Sequence, residues 1–489
     1  MTSKPETLKE KTARGLFWGG MNNGVQQLIG LLVGIILGRL LSPHDYGMIA
    51  MITIFSVVAT ELQSSGFKTA LTNLKSPTHN DYNAVFWFNI MVGAAIYVIL
   101  FFCAPLIASY YRTPELVPLC RYAFLGFVFS SFGLAQSAYL FKNLRTKQQA
   151  KSGITAIIVS NTVGIVMAWQ GYAYWSIATQ TNVYIAVCTL MYWHYSDWRP
   201  SLHWDFSPVR RMFRFSCKIM ATAILTQVNN NILNILLGHY YSPKDTGNYN
   251  QAYQWNYKAY NLLQGMVQTV AQPVFVDLRE DGERQLRALR KLIRFTAFIS
   301  FPLLFGFALV AREFIVLAIT EKWLFSATLL QILCLSGAVM PLCTLLSNMI
   351  VSRGRSDIYL GCTLVLGVSE LGLMLLLYPY GIRTMVVGYA ALNILWLFVW
   401  HGFVWRQTGY HLLMLLKDTV PFAFGALLTM VATYFATKSI ESLWLLLLAR
   451  VVMAGVVYYL IMRLAHAKIL EDCVQFLKGM KVGTGGTNH

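Results

Sequence analysis

The composition of this 489-residue chain is typical of an integral membrane protein, with 56% hydrophobic residues and only 12% charged residues. A soluble domain carries about 25% charged residues, so the sequence excludes an ordinary soluble protein. The net charge of +18 would suggest a nucleic-acid partner only in a soluble protein, and none is expected here. The cysteines form no CxxC pattern and no cluster with histidine, so we expect no metal site and no disulfide framework.

Fourteen apolar segments follow one another along the chain, and we predict that each is a transmembrane helix. The N-terminus is polar and no cleavage-site pattern is found, so the first segment is expected to be retained. The predicted fold class is an all-α polytopic membrane protein with about 14 transmembrane helices. The segments are residues 14–39, 45–66, 82–109, 116–141, 152–170, 172–193, 214–239, 246–272, 294–312, 325–351, 357–378, 383–404, 418–437 and 442–463.

The lysines and arginines alternate between the two sides of this predicted topology. If the N-terminus is cytoplasmic, 29 of the 39 basic residues fall in cytoplasmic segments and seven on the opposite side. Such a bias is the positive-inside signal of inner-membrane proteins. It predicts that both termini are cytoplasmic, and it accounts for the high net charge by topology alone.

An internal repeat organises the chain. Residues 42–47, Ser-Pro-His-Asp-Tyr-Gly, return 200 residues later at 242–247 as Ser-Pro-Lys-Asp-Thr-Gly. The offset is six predicted helices, an even number, so both copies cross the membrane in the same direction, as parallel repeats do. We predict an N-terminal six-helix lobe at 1–200, a C-terminal six-helix lobe at 201–410, and two appended helices with a cytoplasmic tail at 411–489.

The repeated hexapeptide also has a local interpretation. Ser42 is a favourable N-cap, Pro43 suits the first helical position, and Asp45 stands where a capping box needs an acceptor. The same pattern holds in the second copy. We predict a tight extracytoplasmic turn at each copy rather than a direct contact with substrate.

Ionisable and amide side chains inside the apolar segments are the candidate site, because polar groups in lipid are expensive and are usually functional. Lys258 lies on one face of a predicted helix with other polar side chains, and it is the best candidate cation for an anionic substrate. The remaining candidates are Arg121, Arg39, Asn22, Asn23, Gln26, Gln27, Asn230, Asn231, Asn234, Gln254, Tyr257 and Asn261. The alternatives are polar contacts that join helices and, for the arginines, anchoring at the headgroup level.

Two intramembrane carboxylates, Glu61 and Glu370, are the candidates for proton or sodium coupling. Structural ion pairing is the alternative for both, and a structural or lipid-facing role is expected for Arg450. No nucleotide-binding motif is present, so we expect no ATP hydrolysis and no cofactor.

Four motifs carry a resemblance to a known family. They are residues 37–51, residues 237–250, the pair 322–323 followed by 329–333, and residues 353–357. In this order and spacing they resemble Wzx-type polysaccharide flippases. The chain is most similar to the colanic-acid and teichuronic-acid exporters, in a superfamily that also contains multidrug extruders and the lipid II flippase. The likeness covers about residues 10–410.

The resemblance implies fourteen helices in two lobes around a central cavity. It also implies transport of undecaprenyl-pyrophosphate-linked oligosaccharide across the bacterial cytoplasmic (inner) membrane. The lipid-linked oligosaccharide, membrane lipid and other polysaccharide-assembly membrane proteins are then the expected partners. Two alternatives stay open, a cation-coupled antiporter of small molecules and a membrane polysaccharide polymerase or ligase. The second needs a long outer loop with catalytic residues, but every predicted outer loop is short, so we expect no enzyme.

Overall fold

The computed structural model describes the backbone of residues 8–64, 67, 71, 74–467 and 469–471. Side chains are described for the same residues except 8–23, 211–219 and 222. Every regular element in this part of the chain is helical, which confirms the predicted all-α fold class. The chain divides into two compact units, residues 1–247 and 248–489.

The described residues of the first unit form nine α-helices, and a tenth starts at the C-terminal end of the unit. Their bounds are α1 Leu8–Leu40, α2 Pro43–Ser64, α3 His79–Tyr110, α4 Leu116–Ala123, α5 Gly126–Ser131, α6 Leu134–Lys142, α7 Thr146–Trp169, α8 Tyr174–Tyr195, α9 Ser207–Tyr240 and α10 Pro243–Asp277.

In the second unit, the part of the chain that the structure describes forms the rest of α10 and seven further α-helices. They are α11 Gly282–Ile319, α12 Leu324–Gly337, α13 Met340–Ser352, α14 Ser356–Leu377, α15 Ile382–Thr408, α16 Leu412–Thr437 and α17 Leu443–Leu464.

Each of the fourteen predicted segments falls on one helix or on one interrupted helix. Among the described residues, nine helices are long and apolar enough to cross a membrane, or ten if one bent pair counts as a single span. The chain is therefore a multi-pass membrane protein. The count of fourteen stays a prediction, and so do the three predicted domain ranges.

Two of the predicted spans are interrupted, and they are the fourth span of each sequence repeat. The fourth predicted span is divided into α4, α5 and α6, with a bend of 45° before α6. The tenth is divided between α12 and α13. Since the same span is broken in both repeats, the interruption belongs to the duplicated architecture.

Side chains from neighbouring helices bind the carbonyl groups that these breaks release. Gln63 on α2 donates to the carbonyl of Phe127 at 2.7 Å, and Ser300 on α11 donates to the carbonyl of Ala338 at 2.7 Å. Irregular backbone at membrane depth is stable only where protein groups satisfy it in this way.

In the first unit, α9 packs against α2 and α3, while α1 packs against α7. The core beside α2 contains Met48, Met51, Leu116 and Phe124, all fully buried. The helix that opens the second repeat in the sequence, α9, is therefore part of the first compact unit.

In the second unit, α11 is the central helix. It packs against α12, α16 and α17, so the two predicted appended helices lie against α11. An ion pair between Arg450 on α17 and Glu313 on α11, 2.9 Å between Nη1 and Oε1, joins these helices. Both side chains are almost completely buried, which supports the structural role expected for Arg450.

Candidate functional site

Lys258 lies in the middle of α10, and the contact described for its side chain is with an aromatic ring. Its ammonium lies over the ring of Trp255, with 4.6 Å between Nζ and the ring centroid. Trp255 itself is buried, and its ring packs edge-on against Phe314 of α11. No carboxylate of the described residues lies within ion-pair distance of Lys258. A cation held by an aromatic face keeps its charge available for an anionic ligand.

The predicted polar neighbours of Lys258 extend along the same helix. Gln254 is exposed, Asn261 is half-buried and Tyr257 is 39% exposed. Tyr257 stacks on Tyr253 with 6.3 Å between ring centroids. Exposed ring faces and amides beside a lysine provide both apolar and hydrogen-bonding contacts, a combination typical of small-molecule sites.

Glu370 on α14 is 2% exposed and forms the centre of a second polar group. The side-chain amide of Asn393 on α15 donates to Glu370 Oε1 at 3.1 Å and to the carbonyl of Tyr389 at 2.9 Å. No lysine or arginine in the described part of the chain lies within ion-pair distance of this carboxyl. Burial without a countercation strongly favours protonation or binding of a small cation.

Glu61 on α2 lies next to the amides of α9. Gln227 donates to Glu61 Oε1 at 3.4 Å, and Asn231 donates to the carbonyl of Gln227 at 2.9 Å. Asn234, one turn further, is buried, and its side-chain oxygen has no hydrogen-bond partner among the described residues. The structure therefore brings Glu61 together with the predicted amide face of α9, while Asn230 is exposed.

The two candidate arginines lie on α1 and α4. Arg121 on α4 stacks on Phe101 of α3, with 4.2 Å from the guanidinium carbon to the ring centroid. It makes no hydrogen bond or ion pair with another predicted site residue among those described. Arg39 is exposed in the last turn of α1.

The predicted amides of α1 are described only in part. Gln26 is half-buried and Gln27 is exposed. The side chains of Asn22 and Asn23 lie outside the described residues.

The first of the repeated turns forms the capping box predicted from the sequence, and the second shows part of the same pattern. The backbone N–H of Ser42 donates to Asp45 Oδ2 at 2.8 Å, and the N–H of Asp45 donates to Ser42 Oγ at 3.3 Å. In the second copy, Ser242 Oγ donates to Asp245 Oδ2 at 2.7 Å and accepts from the N–H of Asp245 at 3.2 Å.

The two turns also contact each other, which the sequence did not predict. A Cβ added to Gly47 would overlap the carbonyl of Pro243, and one added to Gly247 would overlap the carbonyl of Pro43. Both contacts lie within the first unit. Glycine is needed at both positions because backbone approaches backbone there.

Sequence reasoning missed several of these groups. Asn393 and Glu313 were not selected, and neither was Asp418, which is fully buried on α16. A polar residue within or at the edge of an apolar segment was the available signal for all three. Their partners lie 23, 137 and 128 residues away in the chain, so spacing gave no indication of pairing.

Comparison with known proteins gives consistent relatives. The chain is 25% identical over 358 residues to the lipopolysaccharide biosynthesis protein WzxC of Escherichia coli, covering 72% of each chain. It is 23% identical over 354 residues to the teichuronic acid biosynthesis protein TuaB of Bacillus subtilis, covering 72% of this chain and 73% of the relative.

Among solved structures, the lipid II flippase MurJ in an inward closed conformation has the same fold. The TM-score is 0.77 at 14% identity, with 93% of this chain and 100% of that chain covered. The family described as "Polysaccharide biosynthesis protein" matches residues 36–328. With a match over more than half of its length, the chain belongs to this family, the polysaccharide biosynthesis proteins that the sequence motifs had indicated.

Proposed function

We propose that this protein is a flippase, which moves lipid-linked oligosaccharide from the cytoplasmic to the outer leaflet of a bacterial inner membrane by alternating access. The family supports this proposal, because its matched relatives are named for the synthesis of surface polysaccharides. The fold supports it as well, since it is the fold of a lipid II flippase. We infer transport rather than catalysis, with undecaprenyl pyrophosphate as the lipid carrier.

The observation that carries the proposal is Lys258. An ammonium group inside an apolar span is costly, and here no described carboxylate neutralises it. A diphosphate is a natural counterion for such a cation, and attraction between them is strong where water is scarce. Tyr257 and the amides of Gln254 and Asn261 are available for sugar hydroxyls and ring faces beside the phosphate.

The other predicted residues have supporting roles in this proposal. Arg121 and Arg39 contribute positive charge towards the diphosphate. The amides of α1 and α9 receive the sugars as they pass, and they are Asn22, Asn23, Gln26, Gln27, Asn230, Asn231 and Asn234. The lipid tail stays in the bilayer, so only the polar head passes through the protein.

Energy coupling is assigned to Glu370, with Glu61 as the second carboxylate. Glu370 is buried and has an amide but no described cation beside it. Taking up a proton or a sodium ion removes the cost of that buried charge. If uptake differs between the two facing states, an ion gradient drives the conformational change.

The experiment that tests the substrate site is flipping of a lipid-diphosphate-linked oligosaccharide in proteoliposomes. Lys258→Gln removes the charge and retains a polar side chain, and Lys258→Arg retains the charge. Lys438→Gln is the matched control, since it removes one cation from a loop between α16 and α17. We expect Lys258→Gln to lower the flipping rate by about tenfold or more, Lys258→Arg to retain part of it, and the control to match the wild type.

The outcomes separate the proposal from its alternatives. Equal rates for Lys258→Gln and wild type would remove Lys258 from the site. A wild-type protein that leaves this lipid unmoved but exchanges a small amphiphile for cations would be an antiporter. New glycosidic bonds formed from the supplied lipid would identify a polymerase or ligase.

Coupling is tested in the same vesicles by imposing a sodium or a pH gradient. We expect one of the two gradients to accelerate flipping by the wild type. The flipping rate of Glu370→Gln should be the same with and without that gradient. Glu61→Gln is the comparison, because its carboxylate is only half-buried and already accepts a hydrogen bond from Gln227. A Glu370→Gln variant that responds to the gradient as wild type does would reject Glu370 as the coupling residue.

A further inference from the structure

A cavity of about 450 Å³ lies between α11, the first turns of α16 and Ile469. None of its lining residues belongs to the proposed substrate or coupling sites. Five basic side chains line it, namely Arg287, Arg290, Lys291, Arg294 and Lys417.

Four of the basic residues form a stripe on one face of α11. They are spaced three, one and three residues apart, which places them on one side of a helix. The stripe stops where the apolar run of α11 begins at Phe295. Lys417 lies in the second turn of α16, between the apolar residues 412–416 and the apolar run that begins at Val420. Basic side chains at the ends of apolar spans lie at the level of the lipid headgroups.

A buried carboxylate fixes the orientation of two of these arginines. Asp418 is fully buried and accepts from Arg290 Nε at 2.8 Å and from Arg294 Nε at 2.5 Å. Arg290 Nη2 adds a bond of 3.1 Å, and the hydroxyl of Tyr410 adds another of 3.1 Å. Each guanidinium group has five N–H donors, so both retain donors that this network does not use.

Among the described residues, the charge of Arg290 and Arg294 is therefore only partly neutralised. One carboxylate serves two arginines, while Arg287 and Lys417 take no part in the network and have exposed side chains. Preorganised arginines beside further cations are the arrangement expected for phosphate recognition.

The remaining lining is apolar and continues towards the bilayer. Pro421, Phe422 and Ile469 complete the cavity wall. On the same helix, Val420 and Phe424 are 48% and 64% exposed. An apolar wall offers no favourable contact to a free phosphate ion. A phospholipid, in contrast, needs an apolar surface beside the site of its headgroup.

We propose that this cavity binds the phosphate headgroup of an anionic membrane phospholipid, whose acyl chains lie along the exposed apolar face of α16. Basic pockets between transmembrane helices on the cytoplasmic side are suited to such headgroups. With the predicted topology, the lipid comes from the cytoplasmic leaflet. The bound lipid connects α16 to α11, so it stabilises the packing of the two appended helices.

The test is binding of phosphatidylglycerol to the full-length protein in a neutral detergent, followed by native mass spectrometry and by thermal unfolding. The probe variant is Arg287→Gln/Lys417→Gln, which leaves Asp418 and its partners intact. Its matched control is Arg284→Gln/Arg406→Gln, which also removes two exposed cations but none that lines the cavity. Phosphatidylcholine, inorganic phosphate and undecaprenyl diphosphate are the comparison ligands.

We expect phosphatidylglycerol to bind wild type and control alike and to raise their Tm. The probe variant should bind it about 10- to 30-fold more weakly, since each lost cation costs about 1 kcal/mol. Without lipid, its Tm should equal that of wild type.

Three results would overturn the proposal. The first is equal binding by the probe variant and wild type. The second is an equal rise in Tm with inorganic phosphate, which would identify a site for free phosphate. The third is binding of undecaprenyl diphosphate but not of phosphatidylglycerol, which would make the cavity a site for the transported lipid.

Discussion

At the scale of single residues, the charged side chains inside the apolar helices fall into two groups, those with a countercharge and those without one among the described residues. Arg450 is ion-paired to Glu313 and donates to the carbonyl of Leu309 at 3.0 Å, and the pair is almost completely buried. Lys258 and Glu370 have no such countercharge among the described residues. A paired ion is costly to disrupt and therefore structural, whereas an uncompensated one is suited to binding or releasing a ligand.

The first prediction concerns the structural pair. Replacing one partner leaves the other as an uncompensated buried charge, which typically costs about 3–5 kcal/mol. We therefore expect Arg450→Met to lower the Tm of the detergent-solubilised protein substantially. The double variant Arg450→Met/Glu313→Gln should recover part of that loss, because no charge is left unpaired. Single and double variants with equal Tm would show that the pair contributes nothing specific.

The second prediction concerns the glycine contact between the repeated turns. Gly47→Ala places a methyl group where the carbonyl of Pro243 lies, so either backbone must shift. Overpacking of this kind costs about 1–3 kcal/mol. We expect a lower Tm and slower flipping in proteoliposomes.

Gly30→Ala on α1 is the control for this substitution. A Cβ there meets no atom within 4 Å among the described residues. A glycine-to-alanine change inside a helix should then be neutral or stabilising by about 0.5–1 kcal/mol. If both variants behave alike, the close contact of the two turns is not what requires glycine at position 47.

At the scale of elements, the connection before α9 is held to the start of α3. The side chain of Asn83 donates to the carbonyl of His203 at 2.6 Å and accepts from the N–H of Ser201 at 2.9 Å. Trp87 Nε1 donates to the carbonyl of Ser201 at 2.8 Å. Hydrogen bonds from the backbone N–H of Ser207 and from Asn80 hold the pKa of Asp205 below its usual range. This long loop is therefore an ordered part of the first unit.

The third prediction tests that attachment. Asn83 is fully buried, and Asn83→Ala leaves one backbone donor and one acceptor without a partner. Each unsatisfied group costs about 1–3 kcal/mol, so we expect a clear fall in Tm. Asn143→Ala is the comparison, because the hydrogen bond described for its side chain goes to a carbonyl one turn earlier at an exposed site. Equal effects of the two substitutions would contradict a special role for Asn83.

Helix positions and helix starts were predictable from the sequence, because apolar length and capping residues are local signals. The repeated Ser-Pro-x-Asp turns are an example. The capping box at Ser42 is confirmed, and at Ser242 the hydroxyl accepts from the N–H of Asp245 as predicted. The interruptions at α4–α6 and at α12–α13 were not predicted, since the apolar runs continue through them. They depend on partners such as Gln63 and Ser300, which lie on other helices.

The candidate site was predictable only as a set of residue types. A lysine or glutamate within an apolar segment is visible in the sequence, and Lys258 and Glu370 were identified in that way. Their surroundings were not, because Trp255 and Asn393 become neighbours through helix geometry and packing. The buried network around Asp418 could not be predicted for the same reason, because its three partners come from two other parts of the chain.

At the scale of the whole molecule, the function depends on which side each loop faces. The 29 to 7 distribution of lysine and arginine predicts an even number of crossings with both termini in the cytoplasm. By length and composition, however, nine or ten helices of the described residues qualify as spans. One helix that does not qualify by composition is α10, which contains Lys258 and many other polar residues. A helix of that composition crosses a membrane only if its polar face lies against protein or water.

The fourth prediction resolves this count. Glu441→Cys, between α16 and α17, should react with a membrane-impermeant maleimide in spheroplasts. Arg284→Cys, at the start of α11, should react only after the membrane is permeabilised. The wild type, whose described cysteines are buried or half-buried, gives the background. Lys244→Cys, in the first turn of α10, should be labelled from outside. His203→Cys, before α9, should not be labelled, because α9 crosses the membrane between these two positions. If both of the last two are labelled from outside, α9 does not cross, the repeats are not parallel, and alternating access through them is excluded.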